Sequence, residues 1–286
     1  MANLVLTYNN RPITNVVGEN QFLSINSSYW TPVTWKGLTN FDGKYVWSDG
    51  TNIYYSSGSS QYVLNRSNNT WSAKTWSGTT VRLDGSYIWY NPYSNDWIYS
   101  NGSTQLAFNG STWEETAFTQ TGGGAASFTG STIWYNGASN SLRAYRAGGT
   151  NYRLGGSRIW YTLTSTGWPA MSKSYLWYPH DFATEGKTYY SRTATGYQGV
   201  IENETYSSIS WGSVKPYQGA YVWHSANHTY YSYNGNNYVL NDDKTAWLLT
   251  YWAGLNGVSL DASHIWHDGS NTYYSYGTTH LKLVND

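Results

Sequence analysis

Residues 47–65 read WSDGTNIYYSSGSSQYVLN, and residues 266–285 read WHDGSNTYYSYGTTHLKLVN, a second copy of one pattern. Weaker copies fill the interval. Each is anchored by an aliphatic residue followed by tryptophan: Val46-Trp47, Ile88-Trp89, Ile133-Trp134, Leu176-Trp177, Val222-Trp223 and Ile265-Trp266. Successive anchors are 42, 45, 43, 46 and 43 residues apart. That period, filled with strand-forming residues, matches one four-stranded propeller blade rather than a helical repeat of similar length. The anchors therefore predict an all-β chain folded as a six-bladed β-propeller of four-stranded blades, with seven blades as the alternative count.

The unit beginning at Gly43 shows the pattern most fully. Alternation of apolar and polar positions predicts strand a at Lys44 to Ser48, strand b at Asn52 to Ser56, strand c at Gln61 to Asn65 and strand d at Thr70 to Trp76. Asp49-Gly50 supplies the turn between the first two. Both faces of these strands carry bulky residues, as a sheet packed between two neighbours requires. Strand d carries tryptophans five apart: Trp71 and Trp76, Trp247 and Trp252, Trp30 and Trp35. The last pair has no strands a and b before it, and the sixth copy, His264 to Asn285, has no strand d after it. The expected solution is closure by exchange, the segment Tyr29 to Trp35 completing the sixth blade and hiding both sheet edges. Residues 27–286 then form the propeller. Residues 1–26 are left as an N-terminal segment whose short strands, Asn3 to Tyr8 and Gln21 to Ile25, would pad the last blade, begin a seventh or serve as an attachment arm.

Composition narrows the function. Only 11% of the 286 residues are charged and 19% are aromatic, including 17 Trp and 30 Tyr. Sixteen basic residues balance sixteen acidic ones, so no global field attracts nucleic acid. With no cysteine, disulfides, thiolate metal sites and cysteine catalysis are excluded. No basic-then-apolar leader and no 18-residue apolar run occurs, so neither a signal peptide nor membrane insertion is expected.

The Gly-Lys-Tyr-Val-Trp strand, the glycine turn, the tyrosine-rich strand and Asn69-Thr70-Trp71 resemble the kelch-like propeller family. The run W-x-D-G-x-N-x-Y-Y-S also resembles repeats of large bacteriophage structural proteins. The usual kelch double glycine is replaced by Asp49-Gly50 and by Ser225-Ala226. The first resemblance implies a propeller fold; the second implies a virion or extracellular surface assembly, made in the cytoplasm without a signal peptide.

Function in a repeat protein is sought where one copy departs from the rest. The connection from strand a to strand b lengthens in the second, third and fourth units, placing Tyr93, Trp97, His180, Asp181 and Phe182 on one rim as a candidate contact patch; tolerated loop drift is the alternative. No Asp or Glu lies between Glu115 and Asp181, whereas Arg143, Arg146, Arg153, Arg158 and Lys173 do. The four arginines form a candidate basic patch suited to carboxylate, sulfate or phosphate, a solvated basic face being the alternative. His224 and His267 share the position after the anchor tryptophan, where other units place Ser48, Tyr90, Tyr135 and Tyr178. Two imidazoles there would hold a metal or polar ligand if the position faces the channel, or would simply replace phenols in a packed ring; no metal site is assigned. No nucleophile elbow, zinc-helix or phosphate-loop motif is present. The expectation is a non-enzymatic interaction propeller without cofactors, whose partners are other structural proteins of an assembly. A multivalent lectin for cell-surface glycans is the second reading.

Overall fold

The computed structural model describes residues 6–8, 11–13, 28–135, 143–163, 173–179, 186–192, 197–202, 205–209, 211 and 218–286. Six blades, each of four antiparallel strands, follow one another in chain order, and the sheets of blades 2 and 3 each gain a short fifth strand, Phe128–Thr129 and the parallel Thr119–Gln120. In blade 1 the four strands are Val46–Ser48, Ile53–Ser57, Ser60–Asn65 and Thr70–Ala73. Blades 2 to 5 repeat the arrangement, beginning at Ile88–Asn91, Trp134–Tyr135, Leu176–Trp177 and Val222–His224. Blade 6 contains Ile265–His267, Thr272–Tyr276 and Thr279–Val284, and its outer strand is Tyr29–Pro32, with Trp30 opposite Leu283 and Thr31 opposite Lys282. Closure is thus by strand exchange, as the incomplete last repeat predicts. Leu6–Tyr8 and Arg11–Ile13 pair with each other; the expected strand at Gln21 to Ile25 lies outside the described residues.

Strand a is shorter than the alternation predicts. Gly43–Tyr45 forms a 3-10 turn, capped by the Asp42 carboxylate accepting from the Lys44 amide, and only then does the strand begin. An equivalent turn opens every blade. Each touches the next and the last touches the first, so six turns close a ring around the axis. Glycine at the turn's first position permits that approach: a Cβ on Gly85 would lie 2.1 Å from the Tyr45 carbonyl oxygen, and one on Gly130 would lie 1.9 Å from that of Tyr87.

The core lies between blades. Tyr54 and Tyr55 point to opposite faces, as strand periodicity demands: Tyr54 stacks on Trp47 toward blade 2, whereas Tyr55 meets Phe41 toward blade 6. The tryptophan pairs of strand d have a matching purpose. At the joint of blades 6 and 1, the anchor Trp266, the following Trp35 and the next blade's Trp71 form a triangle with ring centroids 5.6, 6.1 and 6.1 Å apart. Trp47, Trp76 and Trp113 repeat it between blades 1 and 2, Trp177, Trp211 and Trp247 between blades 4 and 5, and Trp223, Trp252 and Trp30 between blades 5 and 6. Between blades 2 and 3, Phe118 replaces the middle tryptophan, with Trp89 and Trp160 as partners. Tilted and edge-on packing at these separations adds about 0.5–1.5 kcal/mol per pair beyond area burial.

The segment after strand d crosses to the next blade and adds a parallel bridge to its outer strand, as at Lys36 and Thr70 or Ser77 and Thr112. Gly37, at φ +80°, allows this, since a Cβ there would meet the Trp71 carbonyl at 2.0 Å.

Candidate functional site

The buried polar pattern is set by one repeated bond. In strand b a serine follows Tyr-Tyr in blades 1, 4, 5 and 6 and Ile98-Tyr99 in blade 2, and its hydroxyl accepts the anchor indole N–H: Trp47 to Ser56 at 3.0 Å, Trp89 to Ser100 at 3.2 Å, and Trp177 to Ser191, Trp223 to Ser232 and Trp266 to Ser275 at 3.0 Å. Blade 3 breaks the series. Arg146 stands at the serine position, and the buried indole N–H of Trp134 has no acceptor. Several outer tryptophans, Trp71 and Trp113 among them, also keep buried N–H groups without acceptors, so among the anchors the departure at Trp134 is the informative one.

The four arginines of the candidate basic patch separate into different environments. Arg143 is buried and donates through Nε to the Tyr90 carbonyl at 3.1 Å. Arg158 bridges blades 2 and 3, pairing with Asp96 at 2.5 Å and donating to Ser94 Oγ at 2.6 Å and Thr116 Oγ1 at 2.8 Å. Arg153 is half-buried within strand c of blade 3. Arg146 makes one long bond to Asn151 Oδ1, 3.3 Å, and with Lys173, Thr132, Trp134 and the Gly148-Gly149 turn lines a pocket of about 250 Å³. Sequence reasoning counted Lys173 only as a charge. The signal available was its place in the repeat, where Gly43, Gly85, Gly130 and Gly219 stand in four other blades and Ala262 in the fifth.

The rim patch also divides. Tyr93 is 42% exposed, on a loop clamped to blade 3 by the Asn91 amide donating to the Ser157 carbonyl at 2.6 Å and by the Arg158–Asp96 pair. Ile159 and Tyr161, on the outer strand that follows Arg158, are 40% and 38% exposed. Trp97 is half-buried, its ring 5.3 Å from Tyr90 and 6.3 Å from Trp47, so it supports the rim from within. His180, Asp181 and Phe182 lie outside the described residues.

Side chains from consecutive innermost strands meet at the position after the anchor. Tyr178 and His224 are 6.1 Å apart, and His224 and His267 stack at 5.7 Å with planes 12° apart. The His267 side chain is exposed to solvent, yet protein crowds it. Loss of bulk solvation, and then the neighbouring His224, hold its pKa down to about 4. His267 Nδ1 lies 3.1 Å from Thr272 Oγ1, and among the described residues no third histidine or carboxylate completes a metal-binding group. The geometry is that of rings packed on one another.

A cleft of about 500 Å³ between blades 4 and 5 has Tyr189 and Trp211 at its base and Asp242, Asp243, Lys187 and Lys244 around it.

No protein-family model and no curated protein matches the sequence. Among solved structures, the chain is similar to virginiamycin B lyase from Staphylococcus aureus, 8% identical with a TM-score of 0.52 over 91% of this chain and 100% of the lyase. It is likewise similar to the extracellular domain of a one-component system from B. thetaiotaomicron, 9% identical with a TM-score of 0.52, covering 93% of this chain and 42% of the other. At such identities the likeness is one of fold alone, a β-propeller.

Proposed function

We propose that this propeller acts by contact and not by catalysis, as a structural or adaptor component of a surface assembly such as a phage virion. The observation that carries the reading is the exposure of Tyr93, on the loop of blade 2, and of Ile159 and Tyr161, on the outer strand of blade 3. Tyr93 is open to solvent on a loop pinned by the Arg158–Asp96 pair and the Asn91 bond, and Ile159 and Tyr161 are open to solvent on the strand that follows Arg158. A preformed aromatic surface loses little conformational entropy on binding, which is the property of a protein-contact anchor. The repeat resemblance to phage structural proteins supplies the class of assembly.

Glycan binding is the second reading, favoured by the cleft that sets carboxylates and ammonium groups over Tyr189 and Trp211, a combination suited to sugar hydroxyls and ring faces.

Photo-crosslinking from a benzophenone amino acid in place of Tyr93, performed in the source particle or cell-surface fraction, tests the first reading. A discrete protein adduct is expected. Absence of the chain from any such fraction, with no protein adduct, overturns it; retention on a glycan array that is lost on Trp211→Ala transfers the function to the cleft.

A further inference from the structure

The joint between blades 3 and 4 differs from the other five, and its departures converge on one place. Elsewhere a tryptophan triangle, or its Trp-Phe-Trp equivalent, fills the joint; among the described residues of this joint, Trp134, Leu163 and Tyr206 belong to one apolar cluster without such a triangle. The third residue of the 3-10 turn is Tyr45, Tyr87, Tyr175, Tyr221 or His264 in the other blades, but Thr132 in blade 3, and its hydroxyl-bearing side chain lines the pocket. The serine that accepts the anchor N–H is replaced by Arg146, and the turn's glycine or alanine by Lys173. The result is a pocket of about 250 Å³ bearing two cations, a hydroxyl and a tryptophan that is 3% exposed with an unmatched N–H.

A buried donor without an acceptor costs about 1–3 kcal/mol, and two cations sharing a cavity repel each other. Neither feature is explained by packing, and both are relieved by the same occupant. Among the described residues, Asn151 Oδ1 takes a single long bond from Arg146, which engages only a small part of the guanidinium fork. No Asp or Glu occurs from residue 116 to residue 180, so these strands bring no carboxylate of their own to neutralise the pair. Protein crowding around Lys173, which remains open to water, lowers its ammonium pKa, a penalty that a bound anion would offset.

We propose that this pocket binds a compact oxyanion: a sulfate or phosphate group, or the carboxylate of an acidic sugar. Its oxygens accept from the Trp134 indole N–H, the Arg146 guanidinium, the Lys173 ammonium and the Thr132 hydroxyl. The site is independent of the rim contact and stands or falls separately from it.

The test is NMR titration of the indole N–H resonance assigned to Trp134, at constant ionic strength in chloride, with inorganic sulfate, inorganic phosphate and glucuronate in separate arms. A saturable downfield shift in any arm is expected, and the arm that saturates first distinguishes a tetrahedral oxyanion from a sugar carboxylate. Arg146→Ser, which restores the repeat's acceptor, and Lys173→Gly, which restores its turn residue, should each weaken binding about tenfold or more while the fold is kept. If Trp134 shows no shift in the unmodified chain with any of the three anions, or shifts equally in both variants, the proposal is overturned.

Discussion

The hydroxyl of Tyr230 donates to the carboxylate of Asp286 at 2.8 Å, across 56 residues of sequence. Blades 1 and 6 make the same bond locally, from Tyr54 to Asp49 at 2.9 Å and from Tyr273 to Asp268 at 3.1 Å. Blade 5 has Ser225 at that turn position, and Asp286 supplies the missing carboxylate from the neighbouring blade. Asp286→Ala should therefore cost about 1 kcal/mol in a urea titration, and adding Ser225→Asp should recover it. A double variant no more stable than Asp286→Ala alone would show that the bond is incidental.

The indole-to-serine bond makes a sharper claim. Ser56 is fully buried, and its hydroxyl is the acceptor for Trp47. Ser56→Ala leaves the N–H desolvated and unpaired, and should lower stability by about 1–3 kcal/mol. Chemical denaturation checks this; a change within error would mean that the bond contributes nothing net.

Two glycines should respond in opposite ways. Gly85→Ala drives a methyl group to 2.1 Å from the Tyr45 carbonyl in the ring of turns, at an expected cost of about 1–3 kcal/mol or more. Gly58 has φ +60° with nothing within 4 Å of its absent Cβ. Asparagine tolerates that backbone region, so Gly58→Asn should be nearly neutral. Thermal melts of the pair decide whether contact or backbone angle sets the requirement.

Acid should loosen the ring through His267. Its folded pKa of about 4 lies below the ordinary 6.5, so between those values the unfolded chain binds the extra proton and stability falls as pH drops. The carboxylates act in the same direction at lower pH. For Asp49 and Asp268, burial alone would raise the pKa, but hydrogen bonds from Asn52 and Thr51, and from Ser270 and Asn271, outweigh it and hold both groups below 3.8. Their contribution is present above that value and lost below it. His267→Tyr, the residue type at this position in blades 2, 3 and 4, should flatten the urea-midpoint profile between pH 6.5 and 4; an unchanged slope would remove His267 as the cause.

Much of this architecture was legible because a repeat states its own period. The anchors located the blades, and an orphan strand d at Trp30 facing a blade without one foretold the exchange. The 3-10 turns were not legible: Gly43-Lys44-Tyr45 alternates like a strand, and only the close approach of neighbouring turns forces the tighter coil. Trp97 was read as surface because loop length carries no burial information, and strand pairing then turned the ring inward. The arginines looked like one patch because their partners, such as Asp96 for Arg158, are distant in sequence and adjacent only across a blade joint. The pocket at Trp134 was recoverable in part, since Arg146 and Lys173 both break columns that are otherwise serine and glycine or alanine.

Tyr29–Pro32 closes the ring in the sixth blade. Thr31 and Lys282 are register partners, both half-buried, in a chain that contains no cysteine. Antiparallel partners have Cα atoms about 4.5–5.5 Å apart, within disulfide range. The double variant Thr31→Cys with Lys282→Cys, oxidised in dilute solution, is predicted to form one intramolecular disulfide in a monomer that melts at higher temperature than its reduced form. Free thiols throughout, or cross-links formed only between chains, would contradict the closed ring.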